Sequence, residues 1–204
     1  GYLREAALLD NTILVFTSDH GHMLGEHGLW CMTPLYEMSA RIPLFILPVR
    51  GDARLPAGRV DDRFAEFGDI MPTLLDLAGI PIPSHVNQRS LVSGARREHL
   101  YGEHGEGPRA QRMIRRGRYK LLYYPAGNVT QLFDIEADPR ERTNLVSDPA
   151  FRGEVEALTA LLVENAYGND VEWIREGRPV GLPTPPFVGG DIRGLSGQRG
   201  LRFM

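Results

Sequence analysis

Only one cysteine, Cys31, occurs in the 204 residues, so no intrachain disulfide can form. Stability has to come from packing, from a metal or from chain outside this sequence. Long apolar runs are also missing. The longest, residues 12–17 and 42–49, fall far short of the ~20 residues a membrane-spanning helix needs. Neither sign of charge dominates: 23 Lys and Arg stand against 26 Asp and Glu, a net charge of −3. No broad basic field is therefore offered to a nucleic acid or an anionic membrane. Repeats are absent too, and no targeting segment is visible. A composition of 42% hydrophobic and 24% charged residues is that of an ordinary soluble globular chain; it leaves the cellular compartment open.

What is present divides into two textures. Residues 2–9 are good helix formers, stopped by Asp10-Asn11. Residues 12–17 and 42–47 are β-branched and aromatic runs without polar alternation, the pattern of strands covered on both faces, as in a parallel sheet between helices. Asp69 is placed to cap a helix from Ile70, with Pro72 in its first turn, an apolar stripe at Leu74, Leu75, Leu77 and Ala78, and Gly79 at C′. Further on, residues 111–115, 119–124 and 131–134 read as short strands of a small antiparallel sheet. Lys120 reads as an outward-facing residue of that sheet. Asp148-Pro149 opens a helix whose Phe151, Val155, Leu158 and Leu162 share one face. From Gly177 the chain is rich in glycine and proline and reads as an arm or as disorder. These boundaries predict three parts: 1–97, an α/β portion; 98–176, a small α+β subdomain; and 177–204, the arm.

The chemistry concentrates beyond the first buried strand. Ser18-Asp19-His20-Gly21-His22-Met23-Leu24-Gly25-Glu26-His27 puts two acids and three histidines on a loop at a strand's carboxyl end, where α/β proteins carry their ligands. Asp19 offers a hard oxygen and His20 a nitrogen. Two readings stand at this point: half of a metal site, or an aspartate that bonds its own turn beside a polar loop histidine. Two donors are not a site, because calcium takes six to eight oxygens and magnesium an octahedron. The histidine spacings match no familiar zinc arrangement.

The ordered series Thr17-Ser18-Asp19-His20-Gly21, Leu24-Gly25-Glu26-His27-Gly28-Leu29-Trp30, Tyr36-Glu37 and Arg41-Ile42-Pro43-Leu44 resembles the signature of type I sulfatases, within the alkaline-phosphatase-like superfamily. Further matches follow: the run Asp69 to Gly79, Gly117-Arg118-Tyr119-Lys120-Leu121, Leu132-Phe133-Asp134, and Asp138-Pro139 with Glu141 and Asn144-Leu145. The resemblance spans most of residues 10–165. It implies an α/β fold, part of an alkaline-phosphatase-like sandwich with a mainly parallel sheet, followed by a small antiparallel sheet with a packed helix. It also implies that Asp19 and His20 are the second ligand pair of a divalent cation, with calcium expected and manganese or magnesium the alternatives. The substrate would be a small-molecule sulfate ester. The nucleophile would be a formylglycine hydrate, whose second hydroxyl lets the covalent sulfate ester collapse. A cation there would neutralise sulfate oxygens and activate the nucleophile.

The formylglycine motif, Cys/Ser-x-Pro/Ala-x-Arg, does not occur ahead of the metal loop, near the start of the domain, where the family carries it. Cys31 is followed by Met32-Thr33-Pro34-Leu35 and stands on the wrong side of the metal loop, so it reads as a packed thiol. The first pair of acidic ligands is missing as well. The expectation is a chain that begins where the second half of such an enzyme begins, completed by an N-terminal half and inactive alone. His22, His27 and Arg41 are the candidates for substrate contact. His104, in Glu103-His104-Gly105-Glu106, is the candidate general acid for the leaving alcohol. Tyr36, Glu37 and Arg41 have a competing role as a salt-bridged helix that anchors the loop. Two other readings compete with sulfate hydrolysis: a phosphate or phosphonate ester hydrolase of the same superfamily, and a non-catalytic fragment that leaves an apolar sheet face exposed.

Met32 is the sharpest departure. The family pattern commonly has a lysine two residues after the tryptophan, in contact with the sulfate. Methionine has neither charge nor donor, which leaves three readings open: another basic residue, Arg41 being the nearest in sequence, takes over the contact, the substrate differs, or the chain is a weak or inactive member. Each is compatible with Met32 simply packing against Trp30. Met32→Lys is therefore expected to raise turnover of an aryl sulfate by the intact protein about tenfold or more. Equal turnover by the two proteins would mean that this position does not limit activity.

Overall fold

In the computed structural model, which describes residues 1–32, 34–55 and 58–185, the elements run α1 (Tyr2–Glu5), β1 (Leu14–Thr17), α2 (Glu37–Ala40), β2 (Leu44–Leu47), α3 (Ile70–Leu77), β3 (His99–His104), β4 (Gln111–Arg116), β5 (Tyr119–Tyr124), β6 (Val129–Asp134), α4 (Arg152–Asn165), β7 (Ile174–Arg175) and β8 (Arg178–Pro179). Short 3₁₀ turns join several of them. The chain separates into two compact units, one of residues 1–19 and 42–100, the other of residues 20–41 and the chain from Tyr101 onward. The first helix is shorter than its composition predicts, ending at Glu5 with Ala7 at φ 54°.

In the first unit β1 and β2 pair antiparallel, Leu14 opposite Leu47 and Phe16 opposite Phe45. The strand pairs β4–β5, β5–β6 and β7–β8 are antiparallel as well. This overturns the mainly parallel sheet expected from the apolar runs. A parallel pair requires a crossover that carries the chain back along the sheet, usually a helix. Among the described residues, the connection between β1 and β2 holds a three-residue 3₁₀ turn and the four-residue α2, both too short to run the length of a strand. Continuous apolar character cannot report strand direction. Nor are both faces covered, because exposure alternates along each strand. Leu14 (38%), Phe16 (59%), Phe45 (64%) and Leu47 (41%) remain open, with the two phenylalanine rings 5.9 Å apart.

Helix α3 ends as its sequence predicts. Gly79 takes φ 70°; its N–H bonds Asp76 O, and the Ile80 N–H bonds Leu75 O, the paired bonds of a Schellman end. Its start differs. A 3₁₀ turn, Phe67–Asp69, precedes it, and the cap is Glu66. Glu66 and Asp69 form a capping box in which the Asp69 carboxylate accepts from the Glu66 N–H at 3.0 Å. Asp69 is thereby fully buried and takes two further bonds from the Arg97 guanidinium, at 2.6 and 2.9 Å, and one from the Arg89 N–H at 3.1 Å. Aspartate is commonly a cap by itself. Here it serves as the anchor for the loop that ends at Arg97.

The second unit is built on the sheet β3-β4-β5-β6. Strand β5 buries four consecutive residues, Lys120, Leu121, Leu122 and Tyr123, so both of its faces are covered. Helix α4 lies against β4 and β5. Its Leu158 and Leu162 join Ile114, Leu121, Tyr123, Leu132 and Trp173 in one core cluster, with Phe151 and Val155 at the margin. Asp148 caps the turn that leads into α4, accepting from the Ala150 N–H at 2.9 Å, and Pro149 fills the first position, where its missing N–H costs nothing. Of the Gly/Pro-rich arm, β8 and Leu182 are ordered against the body, Leu182 bridging to Ala126. The arm from residue 186 lies outside the described residues.

Burial raises the Asp69 carboxyl, but the Arg97 hydrogen bonds and the Glu66 and Arg89 N–H groups more than offset this and hold it below its ordinary value of 3.8. A depressed carboxylate stabilises the fold above its unfolded pKa, and that contribution is lost as pH falls through the folded value. Arg97→Met, which strands a buried charge, is expected to cost about 3 kcal/mol at neutral pH. Once Asp69 is protonated it no longer requires a cation. Urea titrations at successively lower pH should therefore show the gap between variant and wild type closing as pH falls below 4; a gap independent of pH would contradict this.

Candidate functional site

The loop from His20 to Met32 is a built structure. Met23 is fully buried at its centre. The Met23 N–H bonds Cys31 O at 2.8 Å and the Gly25 N–H bonds Leu29 O at 2.9 Å, so the two limbs run side by side. They close through a 3₁₀ turn, Glu26–Gly28. Gly25, at φ 118°, lies under the Trp30 indole, and a Cβ there would stand 3.3 Å from the ring. The Leu24 N–H donates to Glu26 Oε2 at 2.7 Å, and the backbone N–H groups of Glu26 and Leu24 hold that carboxyl below its ordinary range.

Asp19 ends the first segment of the first unit and His20 begins the second unit. Both are exposed. Asp19 Oδ1 accepts from the Ser18 hydroxyl at 3.3 Å. His20 Nδ1 lies 2.8 Å from Gly21 O. A carbonyl only accepts, so Nδ1 carries the proton and the lone pair sits on Nε2, the nitrogen a metal would take. One carboxylate and one imidazole do not make a six- to eight-oxygen shell. Among the described residues no group of three or more His, Cys, Asp or Glu side chains converges. By themselves, then, the residues present do not fit the implied cation, and a complete site would need ligands from elsewhere.

The remaining candidates are spread out. His22 and Arg41 are exposed. His27, at φ 54°, stacks on Tyr36 with ring centroids 4.1 Å apart and planes 9° from parallel. Its Nε2–H donates to Arg140 O at 3.1 Å. His104 ends β3 with its ring exposed, on a firmly held turn. Arg112 Nη1 donates to the carbonyls of His104 (3.1 Å) and Gly105 (3.0 Å), and Arg112 is itself gripped by Asp170 through two bonds of 2.6 Å. The neighbouring Glu103 accepts from the Tyr167 hydroxyl, which pushes that phenol up. Cys31 is half-buried within the loop, its carbonyl used by Met23.

Sequence reasoning missed what holds the loop. The Ser39 hydroxyl donates to Met32 O at 2.6 Å, and the Gly21 N–H donates to Ser39 O at 2.7 Å. One residue of α2 thus grips both ends of the loop. Gly21 lies so close to the Met38 carbonyl that no Cβ would fit. Nor does Lys120 face outward: it is fully buried, with Glu37 and Glu141 as its ion partners. A signal for this was available, since a strand whose neighbouring residues are all apolar is covered on both faces, and a lysine inside it requires anions.

Comparisons with known proteins place this geometry in a family. The family model described as N-sulphoglucosamine sulphohydrolase, C-terminal, matches residues 25–167. The chain belongs to this C-terminal sulfatase family, related to arylsulfatases within the alkaline-phosphatase-like superfamily. It is 36% identical to an arylsulfatase of Clostridium perfringens over 82% of its own length and 36% of the relative's. It is 40% identical to a choline-sulfatase of Rhizobium meliloti, over 77% and 31%. A solved structure of a protein bound to its substrate D-glucosamine-2-N,6-O-disulfate superposes with a TM-score of 0.72 at 31% identity, over 80% of this chain and 35% of that one. A phosphonate monoester hydrolase from Silicibacter pomeroyi superposes at 0.68 with 28% identity, over 80% and 36%. The chain thus spans about a third of the length of the relatives it matches. Among the described residues no helix is long and apolar enough to cross a membrane.

The ring stack and the bond to Arg140 make His27 part of the loop's scaffold. His27→Ala is expected to lower the unit's stability by about 1–2 kcal/mol, whereas exposed His22→Ala should change it by less than about 0.5 kcal/mol. Chemical denaturation of the two variants measures the difference, and equal losses would refute it.

Proposed function

We propose that this chain contributes to a sulfuric ester hydrolase whose nucleophile lies outside the sequence, with Asp19 and His20 as one ligand pair for a divalent cation, calcium first. The observation that carries this reading is the 36–40% identity to an arylsulfatase and a choline-sulfatase over about four-fifths of the chain. The tautomer of His20 supports it, since the Gly21 carbonyl leaves the lone pair on Nε2. His22 and Arg41, both exposed, are the proposed sulfate contacts. His27, whose Nε2–H is committed to Arg140, would have to be protonated to donate to a sulfate from Nδ1. His104 is the proposed acid for the leaving alcohol; its exposed ring on a clamped turn suits a group that must meet a substrate at fixed geometry. We assign no catalytic step to this chain alone, because its own donors do not complete a metal shell and no nucleophile motif precedes the metal loop.

Further polypeptide, corresponding to the two-thirds of the relatives' length that this chain does not match, is the proposed partner. The open face of β1 and β2 supports that reading. Four large apolar side chains in two cross-strand pairs stand exposed there, and such a patch marks a surface meant to be covered. One observation favours a second reading, phosphonate ester hydrolysis. Met32 supplies no charge to a sulfate, and the structural likeness to a phosphonate monoester hydrolase is nearly as close as that to the structure bound to the disulfated glucosamine.

With only two donors, calcium titrated into this chain is expected to bind at about millimolar affinity. Calorimetry should show that heat abolished in the double variant Asp19→Asn, His20→Ala. Unchanged binding in that variant would remove both residues from the metal site.

A further inference from the structure

Three sequence stretches far apart in the chain meet at one buried point of the second unit. Arg115 on β4 and Lys120 on β5 stand directly opposite each other in the sheet register. Like charges at such a position repel, and Lys120 has no access to water at all. The carboxylate of Glu37, the first residue of α2, resolves the conflict. Its Oε1 lies 3.0 Å from Lys120 Nζ and its Oε2 lies 3.1 Å from Arg115 Nη1. The second anion is Glu141, from the turn after β6, with Oε1 2.9 Å from Lys120 Nζ. That contact is an ion pair at short range without hydrogen-bond geometry, since Glu141 Oε1 has no hydrogen-bond partner. Its other oxygen accepts from the Glu37 N–H at 2.6 Å. Glu141 is held at φ 54° to do this, a conformation a non-glycine residue rarely adopts. Burial pushes its carboxyl up, against the pull of Lys120. Two cations and two anions balance, and α2 supplies one side chain and one N–H to the arrangement.

Helix α2 in turn holds the loop. Ser39 binds Met32 O with its hydroxyl and the Gly21 N–H with its carbonyl, and Tyr36, at the head of α2, stacks on His27 and donates to Gln131 Oε1 at 2.9 Å. We infer that the Lys120–Glu37–Glu141–Arg115 network is a positioning device, which sets the His20–Met32 loop by fixing α2 and, through Ser39, both ends of the loop. Lys120 and Glu141 are positioning residues that act through α2. The consequence for catalysis rests on the proposed role of Asp19 and His20; the mechanical inference does not.

The experiment is amide hydrogen exchange on the full 204-residue chain without metal, comparing wild type, Lys120→Met and Ser39→Ala. Lys120→Met leaves two carboxylates buried together, so α2 should detach. The amides of Gly21, Met23 and Gly25 are expected to exchange about tenfold faster or more, while those of α4 change far less. Ser39→Ala removes the hydroxyl tie and leaves the charges intact. It should loosen the same three amides and leave β5 and α4 as they are, which keeps the inference testable if Lys120→Met proves too unstable to fold. Loop exchange within about twofold of wild type in both variants would overturn it. So would a Lys120→Met chain in which loop and α4 open together, with Ser39→Ala unchanged, because the network would then support general stability alone. Metal plays no part in this measurement, so its failure and a failure of the calcium titration are separate results.

Discussion

Much of the second unit turns on the carboxylate of Glu37. The sheet sets a guanidinium and an ammonium opposite each other at Arg115 and Lys120, an arrangement that has no stable interior solution without an anion between them. Removing such charges from water costs several kcal/mol each, and only well-placed counter-charges offset it. Glu141 supplies Lys120 with one counter-charge from the turn after β6, but the anion shared by Lys120 and Arg115 comes from α2, so the two cations are both balanced only when that short helix has docked. A helix of four residues has almost no stability of its own. Its order is borrowed from the sheet's electrostatics, and the loop's order is borrowed from the helix. The buried ions therefore serve specificity of arrangement more than net stability, which the core around Leu121, Leu132, Leu158 and Trp173 supplies.

The first unit uses the same device with the signs exchanged. There a buried anion, Asp69, collects Arg97, the Arg89 N–H and the Glu66 N–H. Thr73, one turn into α3, bonds back to Asp69 O at 2.6 Å and accepts from the Leu91 N–H at 2.9 Å. A loop of little regular structure, residues 80–97, is thus fixed to a helix start at several points. In both units a short irregular segment that packing alone would not order is held by a fully buried charge with more than one partner. Such a group is costly to leave unpaired, which makes the held conformation close to all-or-none.

Local rules read the chain well wherever the deciding contacts are local. The Gly79 helix end, the Asp148-Pro149 start, the face of α4 and the strands β4 to β6 all depend on neighbours within a few residues, and the structure has them as the sequence predicts. The direction of β1 against β2 depends on what the intervening chain does, and apolar runs carry no information about it. Asp69 was legible as a capping residue but not as a buried anchor, because its partner Arg97 stands 28 residues away. For the candidate site, the loop was legible through the motif series, and so was a loop-anchoring role for Glu37. Lys120 departs from the solvent face that its residue type predicts, because its counter-ions come from Glu37 and Glu141, far away in sequence. Its neighbours Leu121, Leu122 and Tyr123, apolar on both faces, argued the opposite.

On the proposed reading, the division of labour within the site follows from these constraints. A loop gripped at both ends by one serine presents its histidine with little conformational freedom left to lose, which lowers the cost of meeting a ligand. Such preorganisation cannot replace missing donors: one carboxylate and one imidazole remain too few, however well they are held. What the second unit offers a larger assembly is therefore geometry, and affinity for the cation has to come from ligands added to it. This also gives the small sheet a role that its distance in sequence from the loop conceals. Its two opposed cations reach the loop through Glu37, so a change on β5 is felt at Gly21 although no side chain of β5 need approach it.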